Sequence, residues 1–408
     1  MPYERVKTLV IGGGQAGLVM SHMLKQRGCP HLVLERHRIA ERWRTGRWDG
    51  LRFQFPNWSV RLPDFPFPHA DPDGFASAGE ITNFIEAYAA LVAPPIRCGV
   101  PVTALRRDAG GDGFVAETPE LSIEATNVVV ATGPYQRPVI PDLLRDEPGV
   151  FQVHASGYRN PGQLPPGAVL VVGSGASGAQ IAEELFRAGR RVWLSVGRHR
   201  RLPRRYRGRD LIWWLIAMGL DQTPTEQRGP DRSLPLITGA FGGDTIDFRR
   251  FASLGVTLLG RMQGVHQGAM EFAPDLAENL AYGDASYAGF LDLMDAHVQR
   301  HGLNMPEQPA ARAVLPAPQC LTEPILRLDP RAAGIAAVVW ATGYDFDFGW
   351  IDIPVLDARG GPIHRSGVTA IPGLYFLGLQ WLSRLNSSLL SGVADDAAYL
   401  ADHIAARG

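Results

Sequence analysis

The chain has 408 residues, of which 45% are hydrophobic and 20% are charged, and its formal net charge is -1. This length is enough for two or three domains, and the composition is typical of a globular protein. A charge balance this close to neutral argues against a nucleic-acid-binding protein. The most apolar run, residues 211–220, is far shorter than the ~20 residues of a membrane-spanning helix. Because the first strand begins almost at once, no signal peptide is expected, and we predict a cytoplasmic protein.

The three cysteines, Cys29, Cys98 and Cys320, are far apart in the sequence. Their spacing argues against a disulfide framework, a zinc site and a redox-active CxxC pair. We therefore expect three isolated, buried thiols and no metal site.

The first predicted element is a βαβ unit that contains a nucleotide-binding motif. A buried strand runs into the sequence GGGQAG at residues 12–17, which has the spacing GxGxxG, and a helical pattern follows. The first glycine of this motif makes a tight turn, the second lets a pyrophosphate approach the backbone, and the third lets helix and strand pack closely. The next strand, residues 31–35, ends in Glu35, at the position where an acid binds ribose hydroxyls. The unit predicts a dinucleotide site with its phosphates at the helix N-terminus, rather than a merely glycine-rich turn.

The middle of the first domain combines an irregular segment with strands and one helix. Residues 36–70 are rich in Arg, Trp and Pro, which favours a partly buried ligand wall over a solvent loop. A helical period predicts a helix over 78–92, and residues 96–126 alternate like antiparallel strands with a turn at 110–113. A buried strand over 127–133 ends in Ala-Thr-Gly.

A second strand–GxGxxG–helix pattern begins at residue 168, with a helix over 179–188 and a strand over 191–195. This strand ends in Ser195 instead of an acid, and a cluster of arginines follows. A carboxylate would repel a 2′-phosphate, whereas a guanidinium binds it through paired, charge-assisted hydrogen bonds. We therefore interpret the first unit as FAD-binding and the second as NADPH-binding, with a solvated basic face as the alternative for the arginines. The cluster comprises Arg198, Arg200, Arg201, Arg204, Arg205, Arg207 and Arg209.

Residues 208–310 contain no recognisable motif, and we interpret them as an elaboration of the second domain. Residues 229–243 have the composition of a loop, and an amphipathic helix is predicted over 287–301. For Trp213 and Trp214, core packing is favoured over a role in a substrate channel.

The chain then returns to the first domain. A strand over 334–343 again ends in Ala-Thr-Gly, a buried strand follows at 373–378, and a closing helix is predicted over 386–404 with a serine as N-cap. We predict an α/β protein with two Rossmann-like domains of the three-layer ββα type, of which the first is discontinuous. The predicted ranges are 1–155 and 326–408 for the FAD-binding domain and 156–325 for the NADPH-binding domain.

These motifs resemble those of the flavoprotein monooxygenases with two dinucleotide-binding domains. That superfamily includes flavin-containing monooxygenases, plant auxin-forming enzymes, N-hydroxylating enzymes and Baeyer–Villiger monooxygenases. The resemblance covers, in order, GGGQAG, ATGPYQRPVIP, GSGASG, ATGY and the final strand and helix, and the spacing of His154 and Tyr158 matches a linker fingerprint. Within it, the chain is most similar to bacterial FAD/NAD(P)-binding oxidoreductases.

The resemblance implies an NADPH-dependent monooxygenase with FAD and NADPH as cofactors. Such an enzyme forms a flavin peroxide and inserts one oxygen atom of O2 into a nitrogen, sulfur or carbonyl group of a small organic substrate. The alternatives are an FAD-dependent NADPH dehydrogenase or reductase without oxygenation, and a nucleotide-binding redox sensor. A homodimer is compatible with the resemblance, and no nucleic-acid or membrane partner is expected. Trp43, Trp48, Trp58 and Trp213 suggest an aromatic or apolar substrate.

The resemblance also implies individual site residues. Asn57 matches an asparagine at the reactive edge of the flavin and is the predicted catalytic residue, while His154 and Tyr158 would couple domain rotation to the flavin site. The predicted cofactor-binding residues are Gly12, Gly14, Gln15, Ala16, Gly17, Glu35, Arg36, Arg42, Trp43, Val102, Thr132, Gly133, Gly173, Gly175, Ala176, Ser177, Gly178, Gln180, Ser195, Arg198, Arg204, Arg205, Gly378 and Leu389.

Overall fold

Two large β-sheets organise the protein, and a computed structural model describes residues 3–144, 149–229 and 235–407. The helices are α1 (Gln15–Gln26), α2 (Glu41–Thr45), α3 (Ala78–Val92), α4 (Ala176–Arg187), α5 (Leu211–Ala217), α6 (Phe248–Leu254), α7 (Leu276–His301) and α8 (Val393–Arg407). The strands of the two large sheets are β1 (Tyr3–Ile11), β2 (His31–Glu35), β3 (Ile96–Cys98), β4 (Ala104–Arg107), β5 (Phe114–Glu117), β6 (Ser122–Val130), β7 (Phe151–His154), β8 (Ala168–Val172), β9 (Val192–Ser195), β10 (Thr257–Leu259), β11 (Ile335–Trp340), β12 (Ile351–Asp352) and β13 (Leu374–Phe376). Smaller strands lie at Arg61–Leu62, Phe65–Pro66, Arg137–Pro138, Arg200–Arg201, Arg205–Tyr206, Arg209–Asp210, Pro235–Leu236, Met262–His266, Ala269–Phe272, Arg327–Leu328 and Tyr344–Asp345.

The first sheet combines a parallel half with an antiparallel half. Its order is β12-β4-β5-β6-β1-β2-β3, and β13 pairs with β6 beside β5. Strands β1, β2, β3, β6 and β13 are parallel, whereas β4, β5 and β6 form an antiparallel meander. Strand β3 is therefore parallel to its neighbour, which the alternating pattern did not predict. Since β13 comes from the end of the chain, the first sheet is built from two separated segments, as predicted.

The second sheet is entirely parallel, with the order β7-β11-β8-β9-β10. The two sheets with their helices confirm the predicted α/β class. The assignment of residues 334–343 to the first domain was wrong, because β11 lies between β7 and β8 in the second sheet. The repeated Ala-Thr-Gly has a structural cause: β6 lies next to β1, and β11 lies next to β8. In each unit, the strand before Ala-Thr-Gly therefore pairs with the strand before GxGxxG.

One of the following helices has its predicted bounds, and two begin at other residues than predicted. Helix α3 has the predicted bounds and begins with a capping box between Ser77 and Glu80. Helix α7 begins eleven residues before the predicted Tyr287, because the buried Leu276 and Leu280 extend its apolar face. Helix α8 begins at Val393 instead of residue 386, because the preceding segment folds into turns.

The segment between β9 and β11 forms its own small core around α5 and α7. Trp214 is fully buried there, and its indole N–H donates to the backbone oxygen of Tyr206 at 3.0 Å. Trp214 therefore has the predicted packing role, and Trp213 packs at the margin of the same core. None of the helices in residues 3–144, 149–229 and 235–407 is both long and apolar enough to cross a membrane.

Candidate functional site

One cavity of about 1010 Å³ extends along both nucleotide-binding units. Its wall includes the first glycine turn, through Gly12 and Gly14, and the second, through Gly175 and Ala176. In parallel α/β sheets, ligands bind outside the carboxyl ends of the strands. The two turns follow β1 and β8 at those ends, where ligands are expected, and both turns line the same cavity.

The first glycine turn has two tightly packed glycines and one with space beside it. Gly12 has φ +117°, and a Cβ there would lie 2.5 Å from the carbonyl oxygen of Ala131. A Cβ on Gly17 would lie 1.8 Å from the carbonyl oxygen of Gly12. Beside Gly14, by contrast, no protein atom lies within 4 Å of the Cβ position. The space at Gly14 suits a phosphate that must approach the start of a helix closely.

The second glycine turn repeats this geometry. Gly173 has φ +104°, and a Cβ there would lie 2.4 Å from the carbonyl oxygen of Ala341. A Cβ on Gly178 would lie 1.9 Å from the oxygen of Gly173, whereas Gly175 again has open space within 4 Å. The packing constraint and the open position therefore recur at the same points of both motifs.

Glu35 lies in the cavity wall at the end of β2, as predicted. Its two carboxylate oxygens accept the backbone N–H groups of Gly13, at 2.6 Å, and His37, at 2.8 Å. These bonds fix the orientation of the carboxylate, and each oxygen keeps lone-pair capacity for a ligand hydroxyl. The residue at the corresponding position of the second unit, Ser195, does not line the cavity. Its hydroxyl donates to the backbone oxygen of Gly260 at 2.9 Å, which fixes β9 to the neighbouring chain segment.

Of the three arginines predicted to bind the 2′-phosphate, Arg198 alone lines the cavity. Its guanidinium is exposed and lies 3.9 Å from the centre of the Tyr282 ring. Arg204 is only 2% exposed and forms an ion pair with Asp210 at 2.9 Å. Its prediction as a phosphate ligand is corrected: it is a packing residue of the elaboration.

Arg205 also lies outside the cavity. It belongs to a short hairpin in which residues 205–206 pair with 209–210, and its Nη1 donates to the backbone oxygen of Gly242 at 3.2 Å. The carboxylate six residues after Arg204 was the signal that could have separated a structural arginine from a ligand-binding one.

The other predicted cofactor residues divide by their position relative to the cavity. Those that line it, in addition to the residues already placed, are Gln15, Ala16, Arg36, Arg42, Trp43, Val102, Thr132, Gly133, Ser177, Gln180, Gly378 and Leu389. Gly17, Gly173 and Gly178 lie behind the turns and serve packing.

Asn57, the predicted catalytic residue, does not line the cavity. It begins a single 3-10 turn, Asn57–Ser59, and its side-chain amide donates to the backbone oxygen of Asp71 at 2.9 Å. The amide thus closes a local loop, which corrects the placement that the resemblance implied. Its neighbour Trp58 does line the cavity.

The cavity wall has an apolar part, which residues of the predicted ligand wall at 36–70 form together with helix α5, a contributor that the sequence analysis missed. The ring of Phe53 contacts Trp43 edge to face and Phe55 at a tilt, with ring centroids 5.6 Å and 5.3 Å apart. Phe55 packs against both the core of the first unit and the core of the elaboration. Residues of α5 also line the cavity, namely Leu211, Ile212, Leu215 and Ile216. Helix α5 is apolar on more than one face, and Trp214 fills only the face that packs in the core. The remaining apolar residues were the signal that the helix also lines a cavity.

The linker histidine, His154, lies in the cavity wall and is a neutral imidazole. Its Nε2–H donates to the backbone oxygen of Gly343 at 3.0 Å, and its Nδ1 accepts the N–H of Ser156 at 3.1 Å. Burial lowers the pKa of His154, since water cannot solvate the cation there. Tyr158, the other linker residue, is buried and donates its hydroxyl to Glu184 at 2.8 Å, and burial raises the pKa of that carboxyl.

The cysteines lie away from this site. Cys98 is exposed and the other two are half-buried, so the prediction that all three are buried was wrong. None of the three lines the cavity.

Comparisons with known proteins agree with this geometry. The family model described as pyridine nucleotide-disulphide oxidoreductase matches residues 9–210. The chain is 35% identical to a CzcO-like oxidoreductase of Geobacillus kaustophilus over 405 residues, which covers 98% of each protein. It is 34% identical over 188 residues to an indole-3-pyruvate monooxygenase of Oryza sativa subsp. japonica, covering 44% of this chain and 45% of that protein. A flavin-containing monooxygenase from Stenotrophomonas maltophilia has a similar fold, with a TM-score of 0.68 at 17% identity, covering 99% of both chains.

Proposed function

The chain belongs to the family of the CzcO-like oxidoreductases, and from that premise we propose that it is an FAD- and NADPH-dependent monooxygenase acting on small apolar molecules. The observation that carries the proposal is the single cavity of about 1010 Å³ that both glycine turns line. Two dinucleotides bound at these turns share one chamber, so electrons could pass between them without a protein carrier. The similarity to monooxygenases in sequence and fold supports oxygenation as the outcome.

The residues present fit both cofactors. In the first unit, Gly14 leaves room for the FAD pyrophosphate and Glu35 would orient its ribose hydroxyls. In the second, Gly175 leaves room for the NADPH pyrophosphate and the exposed Arg198 would pair with its 2′-phosphate. When bound, NADPH would supply a hydride and FAD would use the electrons to activate O2.

The helices behind these turns contribute charge stabilisation. Helices α1 and α4 each begin directly after their open glycine, and neither has a side-chain cap on its first N–H groups. Free N–H groups and the positive end of the helix dipole attract phosphate oxygens. Each unit therefore provides its own anion site.

The apolar wall provides the place for the substrate. The contacting rings of Trp43, Phe53 and Phe55 lie on the side of the first unit, and α5 lies on the side of the elaboration. Such a wall binds an aromatic or aliphatic group by apolar burial and excludes water from the reacting centre. We therefore propose a small, predominantly apolar substrate together with O2.

Two further features remain proposals. We propose that the domain division follows the sheets, so that β7 and β11 belong to the second domain and the boundaries lie before β7 and after β11 instead of at the predicted 155/156 and 325/326. We also propose a cytoplasmic enzyme, either a single chain or a homodimer.

The experiment measures where the electrons and the oxygen go. Purified holoenzyme is incubated with NADPH, heavy-isotope O2 and apolar amines, thioethers and ketones, and products are analysed by mass spectrometry. We expect one labelled oxygen atom per product molecule and one NADPH consumed per product. NADPH oxidation that yields only H2O2 or a reduced acceptor with every substrate would indicate a dehydrogenase. Binding of both nucleotides without NADPH turnover would indicate a redox sensor.

A further inference from the structure

Arg47 is a half-buried arginine of the cavity wall whose charge the described residues leave unpaired. In that part of the chain no carboxylate forms an ion pair with it, and its one hydrogen bond joins Nη1 to the backbone oxygen of Gly46 at 3.4 Å. Its Nε and Nη2 bond no described residue, and neither atom is sealed from solvent. The N–H donors along one edge of this guanidinium are therefore both accessible and unused.

The position of Arg47 is fixed from both ends of the residue. Its backbone oxygen accepts a hydrogen bond from Arg159 Nη1 at 2.9 Å, and the next residue, Trp48, is buried in the core of the second unit. Its guanidinium carbon lies 5.0 Å from the ring centre of Trp43 and 5.7 Å from that of Tyr135. Such cation–π contacts use the ring faces and leave the N–H groups at the guanidinium edge for another partner.

The surroundings of Arg47 add positive charge. The neighbouring Arg42 lines the same cavity, and its Nη2 donates to the backbone oxygens of Tyr135 and Gln136. Burial lowers the pKa of Arg42, and the positive charges of Arg47 and Arg36 lower it further. A partly desolvated cation without a counter-charge is costly, so a bound anion would stabilise this part of the cavity.

Arg47 borders the apolar wall that we assign to the substrate. The ring of Trp43 contacts Phe53 of that wall, with centroids 5.6 Å apart, and it also contacts the guanidinium of Arg47. The coenzyme phosphates have other sites, since each pyrophosphate lies at an uncapped helix N-terminus and the 2′-phosphate is assigned to Arg198. An anion at Arg47 is therefore expected on the substrate.

We propose that Arg47 binds a carboxylate of the substrate through Nε–H and Nη2–H, while the rings of Trp43, Phe53 and Phe55 hold the apolar body of the same molecule. A guanidinium presents paired donors in the plane of the group, and two carboxylate oxygens match this geometry. The substrate is thus a small aromatic or aliphatic acid. This inference rests on the proposed function and narrows its substrate class.

The test compares acids with uncharged analogues of the same size by calorimetric titration of the FAD-loaded protein. The probes are benzoate, phenylacetate and 3-phenylpropanoate, each paired with its primary amide. Arg47→Met keeps an unbranched apolar side chain and removes the guanidinium. The matched control is Arg44→Met, because Arg44 belongs to the same segment, lies outside the cavity and pairs with Glu86.

We expect the unaltered protein to bind at least one acid about tenfold more tightly than its amide, because a charge-assisted pair is stronger than a neutral hydrogen bond. Arg47→Met should bind that acid and its amide equally, with the amide affinity unchanged. Arg44→Met should keep the preference of the unaltered protein. Both variants should keep their affinities for FAD and NADPH.

Equal binding of acid and amide by the unaltered protein in all three pairs, or a preference that Arg47→Met retains, would overturn the inference. A loss of FAD or NADPH affinity in Arg47→Met with an unchanged acid preference would assign the cation to a coenzyme phosphate and also overturn it. None of these results affects the proposed function, which fails instead if the unaltered chain does not bind FAD or if NADPH does not reduce the flavin. Should Arg47→Met not fold, Arg47→Gln takes its place in the same titrations, and equal binding by the unaltered protein remains decisive.

Discussion

Two glycines of the first GxGxxG motif have different environments: Gly17 is packed against the backbone, whereas Gly14 has open space beside it. An alanine Cβ at Gly17 would lie 1.8 Å from the Gly12 carbonyl oxygen, well inside the 3.0 Å below which real Cβ contacts are essentially absent. An alanine Cβ at Gly14 meets no protein atom within 4 Å, and its φ of -81° is accessible to alanine. The substitutions Gly17→Ala and Gly14→Ala therefore add the same methyl group to two different environments.

The expected magnitudes follow from these distances. In Gly17→Ala the obstacle is backbone, so α1 must move away from β1 until the contact of 1.8 Å has opened to at least 3.0 Å. Overpacking of this kind costs about 1–3 kcal/mol. In Gly14→Ala, the weaker N-cap and the smaller entropy of the unfolded chain nearly cancel, and the change stays within about 1 kcal/mol. FAD affinity should nevertheless fall at least about tenfold, because the methyl group occupies the space of the pyrophosphate.

The assay combines urea unfolding of each apoprotein with titration by FAD, followed by flavin fluorescence. We expect Gly14→Ala to keep its urea midpoint and lose FAD affinity, and Gly17→Ala to unfold at a lower urea concentration. The reasoning is refuted if Gly14→Ala binds FAD as tightly as the unaltered chain, or if Gly17→Ala is equally stable.

Three further predictions concern other parts of the site. Arg198→Ala should reduce the preference for NADPH over NADH about tenfold or more, whereas Arg205→Ala should leave it unchanged. Steady-state kinetics with both coenzymes measures this preference, and an equal preference in the two variants would contradict the assignment. Because burial lowers the pKa of His154, its contribution to stability is complete above about pH 6.5 and is lost as the pH falls from there towards the lowered value. His154→Gln should therefore show a shallower loss of thermal stability between about pH 6.5 and 5 than the unaltered chain, and a steeper loss would refute this sign. Tyr158→Phe should lower the free energy of unfolding by about 1–3 kcal/mol in urea unfolding, since the half-buried Glu184 carboxyl loses its donor. A cost near zero would mean that water replaces the hydroxyl.

Much of the fold was predictable because its signals are local. The strand–glycine–helix pattern identifies both units, since each packed glycine allows a close backbone contact with its own βαβ unit or with the segment after the neighbouring strand. The position of β11 was not predictable from its sequence, because the apolar sequence of a buried parallel strand does not indicate which of two sheets it joins. Its Ala-Thr-Gly ending was informative, but it indicated an equivalent role in the second unit and not a return to the first.

The site was predictable where backbone geometry sets it and less so where side chains do. Gly14 and Glu35 both line the cavity, because the motif fixes both positions relative to the turn. Arg204 and Asn57 were misplaced, because each is held by a partner that its local sequence does not announce. Arg204 Nη1 donates to the backbone oxygen of Gln54 at 2.7 Å, and the Asn57 amide donates to that of Asp71.

The most direct measurement for the central claim is anaerobic mixing of the purified protein with NADPH while the visible flavin absorbance is followed. Two cofactors in one cavity predict a protein that carries, or can be reconstituted with, one FAD per chain, and whose flavin absorbance NADPH bleaches faster than NADH does. A colourless protein that cannot be reconstituted, or a bound flavin that NADPH does not reduce, would contradict the account.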